Sequence, residues 1–269
     1  MRATSPEGAI LEPAHGQGRG AQAAHRILRA SGLSLSRGRR QLLNQIGFAL
    51  EPGQWIALTG ANGSGKSSLL RALAGLLSWD GEPHLSLGEQ RLERLSNPPW
   101  LRLVFQGHAP GWNDALSVRE NLRWQCALDA GKQGTAPTRE AIEKAMNECG
   151  IRPQGDLPFR LLSAGQKRRV SVARLRISLW DDPPAGGVLL WLLDEPSTAL
   201  DDEGQKLLGA SLGELCKGSG MAIVATHGPI PGAPAAVPLH LGPSSLTRPH
   251  AAHGKTGDRD RGEPQDSKC

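Results

Sequence analysis

Residues 60–68 read Gly-Ala-Asn-Gly-Ser-Gly-Lys-Ser-Ser, and this spacing constrains the chain more than any other stretch of it. An apolar strand candidate, Trp55 to Thr59, runs into the segment. The spacing of Leu69, Leu70, Ala72, Leu73, Leu76 and Leu77 predicts a helix running out of it. That strand–loop–helix setting gives a Gly-x-x-x-x-Gly-Lys-Ser match its meaning. The glycines let backbone N–H groups converge on an anion, and the start of the next helix adds partial positive charge. On this reading Gly60, Ala61, Asn62, Gly63, Ser64, Gly65, Lys66, Ser67 and Ser68 cradle a nucleoside triphosphate. Lys66 reaches its β- and γ-phosphates, and the Ser67 hydroxyl ligates Mg²⁺. The pattern fixes few positions, and 34 glycines favour accident, so alone it licenses triphosphate binding and nothing finer.

Composition bounds the rest. The 269 residues suffice for one substantial domain, and the modest 38% hydrophobic content is lowest at the two ends. Residues 1–26 and 243–269 are rich in Gly, Pro, Ala and charge without apolar periodicity, and are expected to be disordered tails. The N-terminus shows no apolar h-region, and the longest apolar run, Val188 to Leu193, is too short to cross a bilayer, so a soluble chain is expected. The net charge of +5 admits nucleic acid or an anionic surface as partner. Much of it, however, is scattered through Arg37-Gly-Arg39-Arg40 and Lys167-Arg168-Arg169, which read as solvated faces and phosphate attraction. Cys126, Cys149, Cys216 and Cys269 have neither metal-ligand nor disulfide-framework spacing, which fits a reducing, cytosolic compartment.

Two further segments carry chemistry. The run Leu189 to Leu193 ends in Asp194-Glu195, as a buried parallel strand does when it delivers carboxylates to its C-terminal edge. Solvated acids at a strand end are the plain alternative. Beside a phosphate loop, Asp194 is placed to hold Mg²⁺ through water and Glu195 to polarise the attacking water. Ser163 and Gln166 form a helix capping box, and the capped helix start that they define is a second anion site apart from the loop.

The run Ser163-Ala164-Gly165-Gln166 resembles the signature sequence of ATP-binding-cassette (ABC) ATPases, and Asp194-Glu195-Pro-Ser-Thr-Ala-Leu-Asp201 resembles their Walker B and D-loop. Gln106 sits where that family has its Q-loop glutamine and His227 where it has its switch histidine. The resemblance implies an α/β P-loop NTPase of the ABC nucleotide-binding type: a RecA-like core, an antiparallel β-subdomain and a helical subdomain. The ATP-binding domain would span residues 27–242, with the helical part about 107–175. There Ser117 to Glu120 reads as a capping box and Thr138 to Cys149 as a helix. The implied cofactors are ATP and Mg²⁺, the metal held by Ser67, Gln106 and Asp194. The implied catalytic set is Glu195, His227, Gln106 and Lys66. Two chains would pack head to tail as a homodimer, with Ser163, Ala164, Gly165 and Gln166 of one completing the site of the other. Arg37 occupies the place of the aromatic residue that stacks on adenine in this family, and a guanidinium can also stack on a base.

Gly107 to Leu122, Leu162 to Arg169 and Trp191 to Pro196 are most similar to the ATP-binding subunits of the cytochrome c biogenesis haem exporter. That similarity implies an integral membrane permease as partner and a peripheral place on the cytoplasmic face of a bacterial inner membrane. It implies no nucleic acid, and it leads one to expect the segment around Gln106 and Trp112 to face the permease. Asp181 to Gly187 reads as a small surface insertion. An ABC transporter for an unrelated solute remains the alternative. A non-transport ABC ATPase is less favoured, since neither a long coiled-coil insertion nor a second cassette is present.

Overall fold

In a computed structural model of the chain, residues 26–95, 100–109, 111–130, 136–180 and 187–242 are described. The expected tails (apart from Arg26) and all but the last residue of the expected 181–187 insertion lie outside these segments. Two sheets form. The antiparallel one contains Leu28–Arg37 (β1), Arg40–Leu50 (β2), His84–Leu87 (β4) and Gln90–Leu92 (β5) in the order β2-β1-β4-β5. The parallel one contains Trp55–Gly60 (β3), Leu101–Gln106 (β6), Val188–Asp194 (β7), Met221–Ala225 (β8) and Val237–Leu241 (β9) in the order β6-β7-β8-β3-β9. The helices are Lys66–Leu73 (α1), Val118–Ala130 (α2), Arg139–Glu148 (α3), Ala164–Trp180 (α4) and Asp202–Lys217 (α5).

β7 explains why the apolar run of the sequence is continuous rather than alternating. All seven of its residues are buried, because both faces of the sheet are covered. Leu189, Trp191 and Leu193 point into one core with residues of α2, α3, α4 and α5. Val188, Leu190 and Leu192 point into the other, with α1 and the antiparallel sheet. The Trp191 indole N–H, sealed in the first core, donates to Ser178 Oγ at 3.0 Å, so a large apolar side chain is buried without an orphaned donor.

The helix after the phosphate loop is shorter than its apolar spacing suggests. α1 stops at Leu73, and Leu76 and Leu77 are exposed. Gly75 takes a φ of 77° and the Leu76 N–H donates to the Arg71 carbonyl at 2.8 Å, a left-handed glycine cap that ends the helix. The capping boxes form as read. Ser117 N–H donates to Glu120 Oε2 at 2.8 Å and Glu120 N–H to Ser117 Oγ at 3.2 Å. Thr138 Oγ1 accepts from the Ala141 N–H at the start of α3.

Lys167, Arg168 and Arg169 are not the solvated face expected of them. Lys167 lies over the Phe159 ring, Arg168 donates to the Thr198 carbonyl at 2.9 Å, and Arg169 pairs with Asp201 and Glu203. Arg168 and Arg169 thereby tie one turn of α4 to the segment after β7 and to the start of α5. Further along α4, Arg174 makes a bidentate pair with Asp129 of α2, both bonds 2.6 Å, with each side chain only 7% exposed. Arg176 joins the same helix to Glu148 of α3 and to Ser211 and Glu214 of α5. Burial pushes the Cys149 thiol up to about 12, so this residue is an inert core side chain rather than a nucleophile.

Candidate functional site

The parallel order β6-β7-β8-β3 sets the carboxyl ends of four strands side by side, and the chemistry-bearing residues leave from there. Gln106 is the last residue of β6, Asp194 the last of β7, and Glu195 follows it. His227 lies two residues beyond β8, and the phosphate loop follows β3. Each strand delivers its residue because the ladder is in register: Gln106 pairs with Leu193, and Asp194 with Ala225.

Backbone constraints shape the phosphate loop. Gly60 has a φ of 146°, and a Cβ there would stand 2.3 Å from the Leu241 carbonyl of β9, so only glycine fits. Gly65 caps α1 with a φ of 100°, and a Cβ would meet the Leu43 side chain of β2 at 2.9 Å. Lys66 is buried, its ammonium donating to the carbonyls of Gly60 at 2.8 Å and Ala61 at 3.3 Å. Ser67 Oγ donates to Asp194 Oδ1 at 3.0 Å across the mouth between β3 and β7.

Three buried oxygens here have no hydrogen-bond partner among the described residues: Ser64 Oγ, Gln106 Oε1 and Asp194 Oδ2. Buried polar atoms are ordinarily satisfied, and such exceptions call for an explanation. Gln106 Oε1 and Asp194 Oδ2, with Ser67 Oγ close to Asp194, make an all-oxygen donor set of the kind a hard Mg²⁺ takes. The residues therefore fit the metal.

Glu195 has a φ of 51°, uncommon for a residue with a side chain and a form of strain that concentrates at functional sites. Its N–H stays in the sheet, donating to the Ala225 carbonyl at 3.0 Å. Its carboxylate lies between two imidazoles. His227 Nε2 is 2.9 Å from Oε1, and His108 Nδ1 is 3.9 Å from Oε2. Burial opposes ionisation, but the hydrogen bond and charge of His227, with His108 and Lys66 beyond, hold the Glu195 carboxyl below the usual glutamate value. It is thus a carboxylate at neutral pH, able to accept from water. The turn presenting His227 is closed by Thr226, whose Oγ1 donates to the Gly228 carbonyl at 2.6 Å.

Lys66, Ser67, Gln106, Asp194, Glu195 and His227 therefore share one sheet edge. Ser163, Ala164, Gly165 and Gln166 do not join them through any hydrogen bond or ion pair among the described residues. They form the exposed start of α4, where Ser163 N–H donates to Gln166 Oε1 at 2.9 Å and Gln166 N–H to Ser163 Oγ at 3.2 Å. Arg37 is exposed at the end of β1, opposite Arg40 in the ladder, and Arg40 is the residue that reaches the phosphate loop, at 3.4 Å from the Gly63 carbonyl. Sequence reasoning missed both Arg40 and His108. Trp112 is tucked inward, its indole N–H on Ser171 Oγ and its ring 5.5 Å from that of Phe159.

Comparison with known proteins agrees with this fold. A family model described as ABC transporter matches residues 43–198. The chain is 41% identical over 200 residues to the cytochrome c biogenesis ATP-binding export protein CcmA of Pseudomonas putida strain KT2440, covering 74% of this chain and 89% of that one. It is 40% identical over 207 residues to the CcmA of Cupriavidus pinatubonensis, covering 77% and 85%. Among solved structures, a putative ABC transporter ATP-binding protein from Pyrococcus furiosus superposes with a TM-score of 0.64 at 20% identity, over 80% of this chain and 97% of that one. An ATP-binding cassette of an ABC transporter in its ADP conformation superposes with a TM-score of 0.54, over 75% and 81%.

Proposed function

This chain belongs to the ABC transporter ATP-binding family, among relatives that are cytochrome c biogenesis ATP-binding export proteins, and from that premise we propose that it hydrolyses ATP to energise a membrane complex serving cytochrome c maturation. The observation that carries the reading is the run of contacts from Ser67 through Asp194 to the Glu195–His227 pair, set beside the buried Lys66. In it, Lys66 and the loop N–H groups hold the β- and γ-phosphates. Ser67, Asp194 and Gln106 would hold Mg²⁺, which would supply positive charge to offset that of the phosphates. Glu195 orients a water in line with the γ-phosphate and accepts its proton, while His227 fixes the carboxylate. Arg37 and Arg40 lie at the hairpin over the loop, Arg37 as the stacking partner of the adenine.

The exposed start of α4 completes a second chain's site, so ATP closes a homodimer. Ser163 to Gln166 then meet the γ-phosphate of the partner subunit, which accounts for an anion-binding helix start that makes no bond to its own loop. The permease docks on the helical side. Trp124 and Leu128, one turn apart on α2, are 61% and 58% exposed, an apolar pair suited to a protein contact. Among the described residues no helix is long and apolar enough to cross a membrane, which fits a peripheral place on the cytoplasmic face of the inner membrane, held by that contact.

Affinity capture of the tagged full chain from detergent-solubilised membranes of its host tests this assembly. An integral membrane protein is expected to co-elute, and Trp124→Glu with Leu128→Glu is expected to release it. Recovery of the chain alone, in the soluble fraction of cells making c-type cytochromes, would contradict the proposal.

A further inference from the structure

We propose that His108 is a second positioning residue for Glu195, acting opposite His227 on the other carboxylate oxygen. The inference rests on the reading of Glu195 as the residue that orients water.

The topology makes the arrangement close to symmetric. β7 lies between β6 and β8, so Glu195, one residue beyond β7, leaves the sheet between the chain ends that follow its two neighbours. His227 is two residues past the end of β8, and His108 is two residues past the end of β6. His227 Nε2 takes Oε1 at 2.9 Å, while His108 Nδ1 faces Oε2 at 3.9 Å. The other group on Oε2 is the Thr198 hydroxyl, at 3.5 Å. With His227 on one oxygen and only the long 3.5 Å bond from the Thr198 hydroxyl on the other, the carboxylate is weakly held at Oε2. A stronger donor there fixes its plane, and so fixes the direction in which it holds water. The 3.9 Å separation is longer than a hydrogen bond, and catalytic contacts of this kind commonly tighten only when the reacting complex forms. His108 belongs to the same segment as Gln106, whose Oε1 is buried without a hydrogen-bond partner among the described residues, at the sheet edge that carries Asp194.

The test is ATP turnover by the full chain in four variants: His108→Ala, His108→Asn, Glu195→Gln and His108→Ala with Glu195→Gln. His108→Ala is expected to lower kcat about ten-fold with the KM for ATP within about two-fold, as misalignment without loss of binding does. His108→Asn, whose amide nitrogen stands near the place of Nδ1, is expected to recover part of that loss. In single-turnover measurements His108→Ala is expected to cost nothing further once Glu195 is glutamine, because residues acting as one unit are not additive. A kcat unchanged by His108→Ala, a raised KM alone, no recovery by asparagine, or a full ten-fold loss in the Glu195→Gln background would each overturn the assignment. Near-normal turnover of Glu195→Gln itself would instead remove the reading on which the inference rests.

Discussion

Glu195→Gln is expected to lower ATP turnover by ~10²–10⁴ while leaving ATP binding intact, equivalent to about 3–5 kcal/mol of barrier. The glutamine amide has the size and shape of the carboxylate and keeps an oxygen for the bond with His227, which is 2.9 Å away in the native chain. What it loses is the ability to take a proton from water. The side chains proposed to hold the triphosphate and its metal, those of Lys66, Ser67 and Asp194, hydrogen-bond to one another or to the loop rather than to the Glu195 side chain. The variant is therefore expected to bind Mg-ATP with near-native affinity and to accumulate as an ATP-bound dimer. Equilibrium nucleotide binding, steady-state phosphate release and sedimentation together check all three. Turnover within a few-fold of the native chain would show that another group activates water.

The second large effect lies away from the chemistry. Asp129→Ala is expected to destabilise the fold by about 3–5 kcal/mol, because it leaves the Arg174 guanidinium buried without its counter-charge. That is a large share of the ~5–15 kcal/mol by which domains are ordinarily stable. Burial opposes the charge on Arg174, and Asp129 more than offsets it, raising the guanidinium above its ordinary value. The pair joins α2, which follows the Gln106 segment, to α4, which begins at Ala164. Replacing both partners, as Asp129→Leu with Arg174→Met, is expected to recover most of the loss, since a packed apolar pair needs no desolvation of charge. Chemical unfolding of the native chain and the variants measures this. An Asp129→Ala midpoint close to native would mean that the pair is solvated in solution.

The phosphate loop was legible in the sequence because its residues are contiguous and its spacing answers to one local geometry. The buried strand ending in Asp194-Glu195 was legible for a similar reason: a sheet covered on both faces leaves an unbroken apolar run. The two capping boxes, Ser117 to Glu120 and Ser163 to Gln166, each confined to four residues, formed as read. Gln106 and His227, by contrast, were found through their order in a family pattern, and no local chemistry marks either.

His108 and Arg40 were missed because their positions depend on which strands are neighbours. Periodicity shows that β6, β7 and β8 are strands but not that β7 lies between the other two. Given that order, the equal offsets of His108 and His227 from their strand ends would have been the signal. Arg40 reaches Gly63 only because the β1–β2 hairpin folds over the loop. Leu76 and Leu77 misled through good helical spacing, which Gly75 interrupts. Arg168 and Arg169 misled through composition, for charge runs are usually solvated, and here one arginine holds a carbonyl and the other two carboxylates.

On the proposed function, ATP hydrolysis at Glu195 serves the attachment of haem to c-type cytochromes. Its most direct test is the amount of covalent haem in c-type cytochromes of the host after deletion of this chain, with native chain or Glu195→Gln restored in parallel. Holo-cytochrome c is expected to be lost on deletion, to return with the native chain and not to return with Glu195→Gln. Normal holo-cytochrome c in the deletion strain would contradict it.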